Sequence, residues 1–223
     1  SAPPLPAPAE APARPESGVR IGVANDAAFC FYYADNIDRL VRAGAEPIFF
    51  SPMTDRLPDV DALYLGGGYP ELHAEALSSS RCREDLRRAA DDGMPVYAEC
   101  GGLIYLTERL ATDEGDYPMA GVLPAAAEMT GRIQALGYVE ARVAGTAPVL
   151  APGSVFRGHE YHYSRLDCAR DARFALELLR GRGIDGDRDG LTAQNAVGQY
   201  THAYFPEGFA ETLVGAAEAY RQT

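Results

Sequence analysis

The sequence has few cysteines and no long hydrophobic run. Its four cysteines, Cys30, Cys82, Cys100 and Cys168, form no CxxC pair and their spacings fit no zinc pattern, so we expect no metal site. A disulfide framework is not expected in a chain of 223 residues without a signal peptide, which favours reduced thiols and a cytoplasmic protein. Apolar stretches such as Pro47–Phe50 are far shorter than the roughly 18 residues of a membrane span.

Basic residues are also scarce. Twenty Lys and Arg residues face thirty-two Asp and Glu residues, giving a formal net charge of -12. Such a surface repels phosphate backbones, so we do not expect a nucleic-acid-binding protein. Because hydrophobic residues make up 47% of the chain and charged residues only 23%, the chain as a whole is not expected to be disordered.

Composition divides the chain at residue 18. Residues 1–18 are rich in proline and alanine, which cannot form a packed core, and are predicted to be a semi-rigid linker. Residues 19–223 contain recurring apolar segments and are predicted to form one domain.

The order of predicted elements indicates the fold class. In chain order they are strand 19–24, helix 31–43, strands 46–50 and 61–65, a helix that ends at Gly93, strand 95–98 and helix 103–110. Strands 135–143 and 155–163, a strand pair or hairpin limb over 196–205, and a helix over 207–220 follow. This order predicts an α/β fold with a doubly wound, mostly parallel sheet flanked by helices. The second half of the chain is predicted to add an antiparallel extension.

Cys100 stands at a predicted strand-to-helix turn and is followed by Gly101 and Gly102. Such an elbow presents one side chain at the carboxyl edge of a parallel sheet, where α/β folds place their sites. The helix amino terminus is expected to lower the thiol pKa, and its amide groups can hold an oxyanion. A buried structural cysteine is the alternative.

Gly66, Gly67 and Gly68 follow another predicted strand, where glycines permit close approach of the backbone to a ligand. No P-loop pattern is present, since no Lys follows these glycines. An ordinary loop turn is the alternative to a site that binds a carbonyl oxygen over Cys100. The chain has four histidines as candidate bases, and spacing alone does not choose among them: His73, His159, His162 and His202.

Four segments together resemble the glutamine amidotransferase domain of the cobyrinic acid a,c-diamide synthase family: Leu63–Glu71, Tyr97–Leu103, Gly158–Ser164 and Tyr200–His202. Val23–Tyr33 is similar to the opening of the same domain, and the resemblance covers about residues 19–221. It implies a class I glutamine amidotransferase fold of the cobyric acid synthase-like group.

The resemblance implies a role for several residues. Cys100 would attack the carboxamide of glutamine, and His202 would accept the thiol proton. Gly101 and the Gly66–Gly68 turn, with Gly67 as first choice, would hold the oxyanion. Because a guanidinium can bind a carboxylate through two hydrogen bonds, Arg132 is the candidate partner of the substrate α-carboxylate, and a solvated surface arginine is the alternative.

The third member of the catalytic set departs from the family pattern. Many related enzymes have His-x-Glu, whereas this chain has His202-Ala203-Tyr204, so a Cys-His dyad is implied. Glu160 and His162 are candidates for supporting residues. Glu99 is expected to face away from the thiol and to bind backbone amides.

The resemblance also implies partners. In that family an ATP-dependent synthetase domain precedes this one, so we expect the chain to be the glutaminase half and to carry no cofactor itself. ATP and Mg would bind the synthetase domain, which would use the ammonia to amidate a corrinoid; a homodimer is a further expectation. The alternatives are a non-catalytic module that docks on a synthetase, the glutaminase of a cobyric acid synthase or nickel-tetrapyrrole diamide synthase, and another cysteine hydrolase of this fold.

Overall fold

The computed structural model describes residues 18–147 and 149–223, so most of the predicted linker lies outside the described residues. The strands are β1 (Val19–Ala24), β2 (Ala45–Phe50), β3 (Ala62–Leu65), β4 (Val96–Glu99), β5 (Arg109–Thr112), β6 (Gly115–Pro118), β7 (Ala125–Met129), β8 (Ala135–Val143), β9 (Val155–His162), β10 (Ser164–Cys168), β11 (Arg173–Arg180), β12 (Arg188–Ala193), β13 (Ala196–Gln199) and β14 (His202–Tyr204). The helices are α1 (Ala34–Arg42), α2 (Ala74–Ser79), α3 (Arg81–Asp91), α4 (Gly101–Leu106) and α5 (Phe209–Arg221), with a 3₁₀ turn at Pro70–His73.

A parallel sheet forms the centre of the molecule. Its strands follow the order β13-β4-β3-β1-β2, and each neighbouring pair is parallel. Side chains on these strands alternate between two faces, as the strand period of two requires. Tyr64 and Tyr97 therefore face one core, whereas Leu65 and Ala98 face the other.

Helices cover both faces of this sheet. Leu40 of α1 and Leu213 of α5 belong to the core that contains Tyr64. Leu86 of α3 and Leu103 of α4 belong to the opposite core. The predicted doubly wound arrangement is confirmed. Within the described residues, none of these helices has the length and apolar character required to cross a membrane.

The later strands extend the sheet in antiparallel fashion, as predicted. The order continues from β13 through β12, β11, β8 and β9 to the edge strand β14. The predicted strand pair within 196–205 is therefore two strands with different neighbours. β13 pairs with β4 and β12, whereas β14 pairs with β9. Strands β11 and β12 were not predicted.

Two predicted helices have different bounds in the structure. The helix predicted over 103–110 ends at Leu106, where the Thr107 hydroxyl donates to the Ile104 carbonyl at 2.7 Å. Arg109 begins β5, in a separate four-stranded sheet of order β10-β7-β5-β6. The first helix begins at Ala34 rather than Phe31, because Phe31 pairs with Gly67 in an isolated bridge. Apolar spacing in a short segment does not distinguish the two states.

Candidate active site

Cys100 lies at the turn between β4 and α4, as predicted, with a positive φ of 46°. Its N–H donates to the Gln199 carbonyl at 2.7 Å, which extends the β4–β13 ladder to the turn itself. The first helical turn packs so tightly against β3 that an added Cβ at Gly102 would lie 2.3 Å from the Leu65 carbonyl oxygen. The glycines therefore allow the elbow to sit against the neighbouring strand.

The Gly66–Gly68 turn lies beside this elbow. An added Cβ at Gly101 would lie 2.9 Å from the Gly68 nitrogen and 3.4 Å from the Gly67 carbonyl carbon. The Gly66 N–H donates to the Tyr32 hydroxyl at 2.8 Å, and the Gly67 N–H donates to the Phe31 carbonyl at 3.2 Å.

This arrangement corrects the first choice of oxyanion donor. Because the Gly67 N–H is already used, it is not free to bind an oxyanion. The Gly68 N–H has no hydrogen-bond partner in the described structure and lies next to Gly101. The amides suited to an oxyanion are therefore those of Gly68 and Gly101.

The imidazole of His202 packs on the other side of the same turn. An added Cβ at Gly67 would lie 2.2 Å from its Cε1 atom. The His202 ring stacks on His159, with ring centroids 4.7 Å apart. It makes a T-shaped contact with the ring of Phe31, with centroids 4.8 Å apart. Gly101, which directly follows Cys100, and His202 thus both lie against the Gly66–Gly68 turn, although no hydrogen bond joins Cys100 to His202 within the described structure.

Burial keeps the His202 imidazole neutral. The residue is only 5% exposed, and its Nδ1 atom is buried without a hydrogen-bond partner. Burial lowers its pKa to about 3, and His159 and His162 add to the effect because a second positive charge nearby is unfavourable. The ring is therefore an unprotonated base at neutral pH.

The thiol of Cys100 is neutral as well, which corrects the expectation of a lowered pKa. Burial is the largest of the effects that raise the pKa of Cys100 to about 12, and the negative charges of Glu71, Glu99 and Asp189 contribute to the same shift. The Gly101 N–H does lower the thiol pKa, as a helix amino terminus should, but desolvation is the larger effect. The thiol donates to the Tyr161 carbonyl at 3.8 Å.

Glu99 turns away from the thiol and binds a backbone amide, as expected. Its carboxylate accepts from the N–H of Ala203 at 3.1 Å and from the hydroxyls of Tyr97 at 2.7 Å and Tyr64 at 3.1 Å. Burial raises the pKa of this carboxyl to about 7.

Glu160 does not support His202. Its buried carboxylate accepts from the N–H groups of Arg182 at 2.9 Å and Gly183 at 3.2 Å, and so holds a loop rather than the imidazole. Residues 159 and 160 point to opposite faces of β9, and it is His159 that lies opposite His202.

His162 is buried and bonded to the backbone, whereas Arg132 is exposed. His162 is buried, its Nδ1 bonds the Ser164 carbonyl at 2.9 Å, and its ring stacks on Tyr200 at 3.6 Å. Burial lowers its pKa to about 4. Arg132 is exposed in the loop between β7 and β8, and its guanidinium has no hydrogen bond to the described residues. Its proposed contact with substrate remains a prediction.

Sequence reasoning missed two residues near His202. His159 was one of four candidates with no distinguishing signal, and its role as ring neighbour follows from the β14–β9 pairing. Asp189 is fully buried and accepts from the N–H groups of Tyr200 at 3.0 Å and Thr201 at 3.1 Å. Nothing in the local sequence marks this aspartate, because its partners are eleven and twelve residues away.

The described residues contain no cluster of three or more side chains placed to hold a metal.

Solved structures share this fold. A chain in the structure of PurLQS from Thermotoga maritima has a TM-score of 0.64 and 17% identity, covering 92% of this chain and 100% of that one. A solved glutamine amidotransferase has a TM-score of 0.56 and 16% identity, covering 91% of this chain and 95% of that one. At such identities the likeness shows the fold alone, which is that of class I glutamine amidotransferases.

The sequence comparison is more specific. Residues 20–208 match the CobB/CobQ-like glutamine amidotransferase domain family, and the chain belongs to that family. It is 50% identical over 210 residues to the cobyrinate a,c-diamide synthase of Halobacterium salinarum, covering 93% of this chain and 47% of that protein. The corresponding Salmonella typhimurium protein is 40% identical over 204 residues, covering 88% of this chain and 44% of its own length. The chain thus spans about half the length of these curated relatives.

Proposed function

We propose that this chain is the glutaminase unit of a cobyrinate a,c-diamide synthase. It hydrolyses glutamine through a thioester on Cys100 and supplies ammonia to an ATP-dependent synthetase. The observation that carries the proposal is the arrangement around the glycine turn. The positive-φ elbow that carries Cys100 packs against this turn through Gly101, and the unprotonated imidazole of His202 packs against Gly67. The amides of Gly68, in the turn, and Gly101, in the elbow, are the two adjacent donors.

The first step starts from two neutral groups. The sulfur of Cys100 forms a bond to the carboxamide carbon of glutamine while its proton moves to His202. The carbonyl oxygen gains the negative charge, which the Gly68 and Gly101 amides stabilise. The carbon–nitrogen bond then breaks, the departing nitrogen takes the proton from His202, and ammonia and a glutamyl thioester result.

The second step regenerates the enzyme. A water molecule gives a proton to His202 and attacks the thioester carbon, and the same two amides hold the oxyanion. The carbon–sulfur bond breaks, the sulfur recovers a proton from the imidazolium, and glutamate leaves. Arg132 is proposed to bind the α-carboxylate of glutamine through a bidentate contact.

The ammonia is used by the partner, the synthetase half. The curated relatives are about twice as long as the matched segment, and their name describes the formation of two amides on a corrinoid. We propose that the synthetase half binds ATP, Mg and the corrinoid, activates a side-chain carboxylate as an acyl phosphate, and receives the ammonia. The relatives' name favours this acceptor over those of cobyric acid synthase and nickel-tetrapyrrole diamide synthase.

A glutaminase assay tests the proposal. Purified chain is expected to release glutamate from glutamine, at a rate that rises when a matching synthetase half is added. Cys100→Ser is expected to abolish the release. Cys30→Ser changes an exposed thiol and serves as the matched control with unchanged activity. Glutamate release that survives in Cys100→Ser would contradict the proposal.

A further inference from the structure

The chain changes partners just before His202. β13 runs beside β4 as far as Gln199, which pairs with Glu99. Three residues later, His202 begins β14 at the far edge of the extended sheet, paired with His159 of β9. β4 bears the nucleophile at its end and β14 carries the proposed base, yet no strand ladder joins β4 to β14.

Side chains take the place of a strand along the free edge of β14. The N–H of Ala203 donates to Glu99 at 3.1 Å, and the carbonyl of Ala203 accepts from the Asn36 amide at 2.8 Å. The Asn36 carbonyl oxygen accepts from the N–H of Phe205 at 2.9 Å. Glu99, Asn36 and Ala203 are all buried, so these bonds are shielded from water.

The imidazole itself has no such anchor. Its Nδ1 atom has no hydrogen-bond partner, and the residue two positions on is Tyr204 rather than a glutamate. The ring is held by contacts with Gly67, Phe31 and His159 and by the path of its own backbone. The location of the base therefore depends on how the peptide of Ala203 is fixed.

We propose that Glu99 is a positioning residue that sets the place of the His202 imidazole relative to the Cys100 sulfur through its hydrogen bond to the Ala203 N–H. Glu99 directly precedes the nucleophile, and Ala203 directly follows the base, so one hydrogen bond links the two ends of the catalytic pair. This inference rests on the proposed roles of Cys100 and His202.

A purely structural role is the competing explanation. Glu99 also accepts from Tyr64 and Tyr97, and its removal leaves three buried donors without an acceptor. A structural loss would reduce activity whether or not His202 is present. A positioning role acts only through His202, and a double-mutant cycle separates the two.

The cycle uses the 223-residue chain with Glu99→Met, His202→Ala and both together, each checked for folding by thermal melting. In the presence of His202, Glu99→Met is expected to lower the kcat of glutamine hydrolysis by about 100-fold, with little change in KM. A displacement of the imidazole by about 1 Å is enough for a loss of this size. In the His202→Ala background, the same substitution is expected to have no further effect. Alkylation of Cys100 by neutral chloroacetamide, followed by mass spectrometry, should show the same pattern without a need for turnover.

Three further variants complete the design. Glu99→Gln keeps an oxygen that accepts from Ala203 and is expected to retain most of the wild-type kcat. Tyr64→Phe removes a donor from the same carboxylate without touching the bond to Ala203 and should behave like wild type. If Glu99→Met does not fold, Ala203→Pro removes the same N–H from an edge strand and replaces it in the cycle.

An equal loss from Glu99→Met, or from Ala203→Pro in its place, with and without His202 would overturn the inference. So would a folded Glu99→Gln variant as inactive as Glu99→Met. Failure of the proposed function would look different, because wild-type chain would then release no glutamate and His202→Ala would change nothing.

Discussion

At the scale of single residues, burial controls the chemistry of the site. The sequence places Cys100 at a helix start, which predicts a thiolate, yet burial raises the pKa of the thiol to about 12. Burial likewise lowers the pKa of His202 to about 3. Both groups rest in their neutral forms, so in the proposed mechanism the thiol proton moves to His202 as Cys100 attacks the substrate, and not before. Desolvation of this size depends on tertiary packing, which local sequence does not reveal.

Removal of the Glu71 charge should make the thiol more acidic. Burial is the largest cause of the raised Cys100 pKa, and the negative charge of Glu71 is the second. Burial also raises the pKa of Glu71 itself. Glu71→Gln is therefore expected to speed alkylation of Cys100 severalfold at pH 8, measured by mass spectrometry of the modified peptide. Glu75→Gln removes an exposed carboxylate a few residues on and is the control. Equal rates in all three proteins would contradict the assigned effect of Glu71.

Gly67 should tolerate no side chain, because an added Cβ would overlap the His202 ring. We expect Gly67→Ala to displace the imidazole and lower the kcat of glutamine hydrolysis by about 100-fold. Gly131→Ala adds a methyl group where no atom lies within 4 Å and should leave the rate unchanged. A Gly67→Ala variant with wild-type kcat would show that the ring does not occupy this place.

At the scale of elements, the sequence predicted the parallel centre better than the later sheet. The strands from Val19–Ala24 to Val96–Glu99 are separated by helices or, between Phe50 and Ala62, by a polar segment with two prolines, which gives clear boundaries. The helix predicted over 103–110 includes the first two residues of Arg109–Thr112. Five other strands are absent from the prediction: Gly115–Pro118, Ala125–Met129, Ser164–Cys168, Arg173–Arg180 and Arg188–Ala193. Several of these strands have partners far away in sequence, and short amphipathic runs fit either period. Cys100, His202 and the glycine turn were identifiable from motifs, whereas Asp189 and Asn36 act through long-range bonds to the backbone.

The contact between α4 and β3 should be sensitive to volume. An added Cβ at Gly102 would lie 2.3 Å from the Leu65 carbonyl oxygen, so Gly102→Ala must push the helix from the strand. Such overpacking is expected to lower the free energy of unfolding by about 1–3 kcal/mol, measured by urea denaturation. Gly215→Ala on the exposed side of α5 meets no atom within 4 Å and is expected to raise stability by about 1 kcal/mol or less. Equal stability of Gly102→Ala and wild type would argue against this packing.

At the scale of the whole molecule, buried carboxylates make stability depend on pH. Burial raises the pKa of Glu99 from 4.5 to about 7 and that of Asp189 to about 6. A raised pKa in the folded state means that the protonated, neutral acid is favoured there. Each of these carboxyl groups therefore makes its full contribution to stability at pH values below its pKa in the unfolded chain. That contribution is lost as pH rises towards the folded pKa.

Glu99→Gln should remove its part of this dependence. Between pH 4.5 and 7, the free energy of unfolding of wild type should fall relative to that of the variant, by on the order of 3 kcal/mol at the upper end. Urea denaturation of both proteins across this range measures the difference. A difference that is constant with pH would mean that Glu99 titrates in the folded protein as it does in the unfolded chain.

The central claim is that Cys100 is the nucleophile towards glutamine, and covalent labelling tests it most directly. The glutamine analogue diazo-oxo-norleucine carries an electrophile in place of the carboxamide and should attach at a ratio of one per chain. We predict that peptide mass spectrometry will place the label on Cys100 and that an excess of glutamine will prevent it. A label on Cys30, Cys82 or Cys168, or a Cys100 that stays unmodified at saturating analogue, would contradict the account.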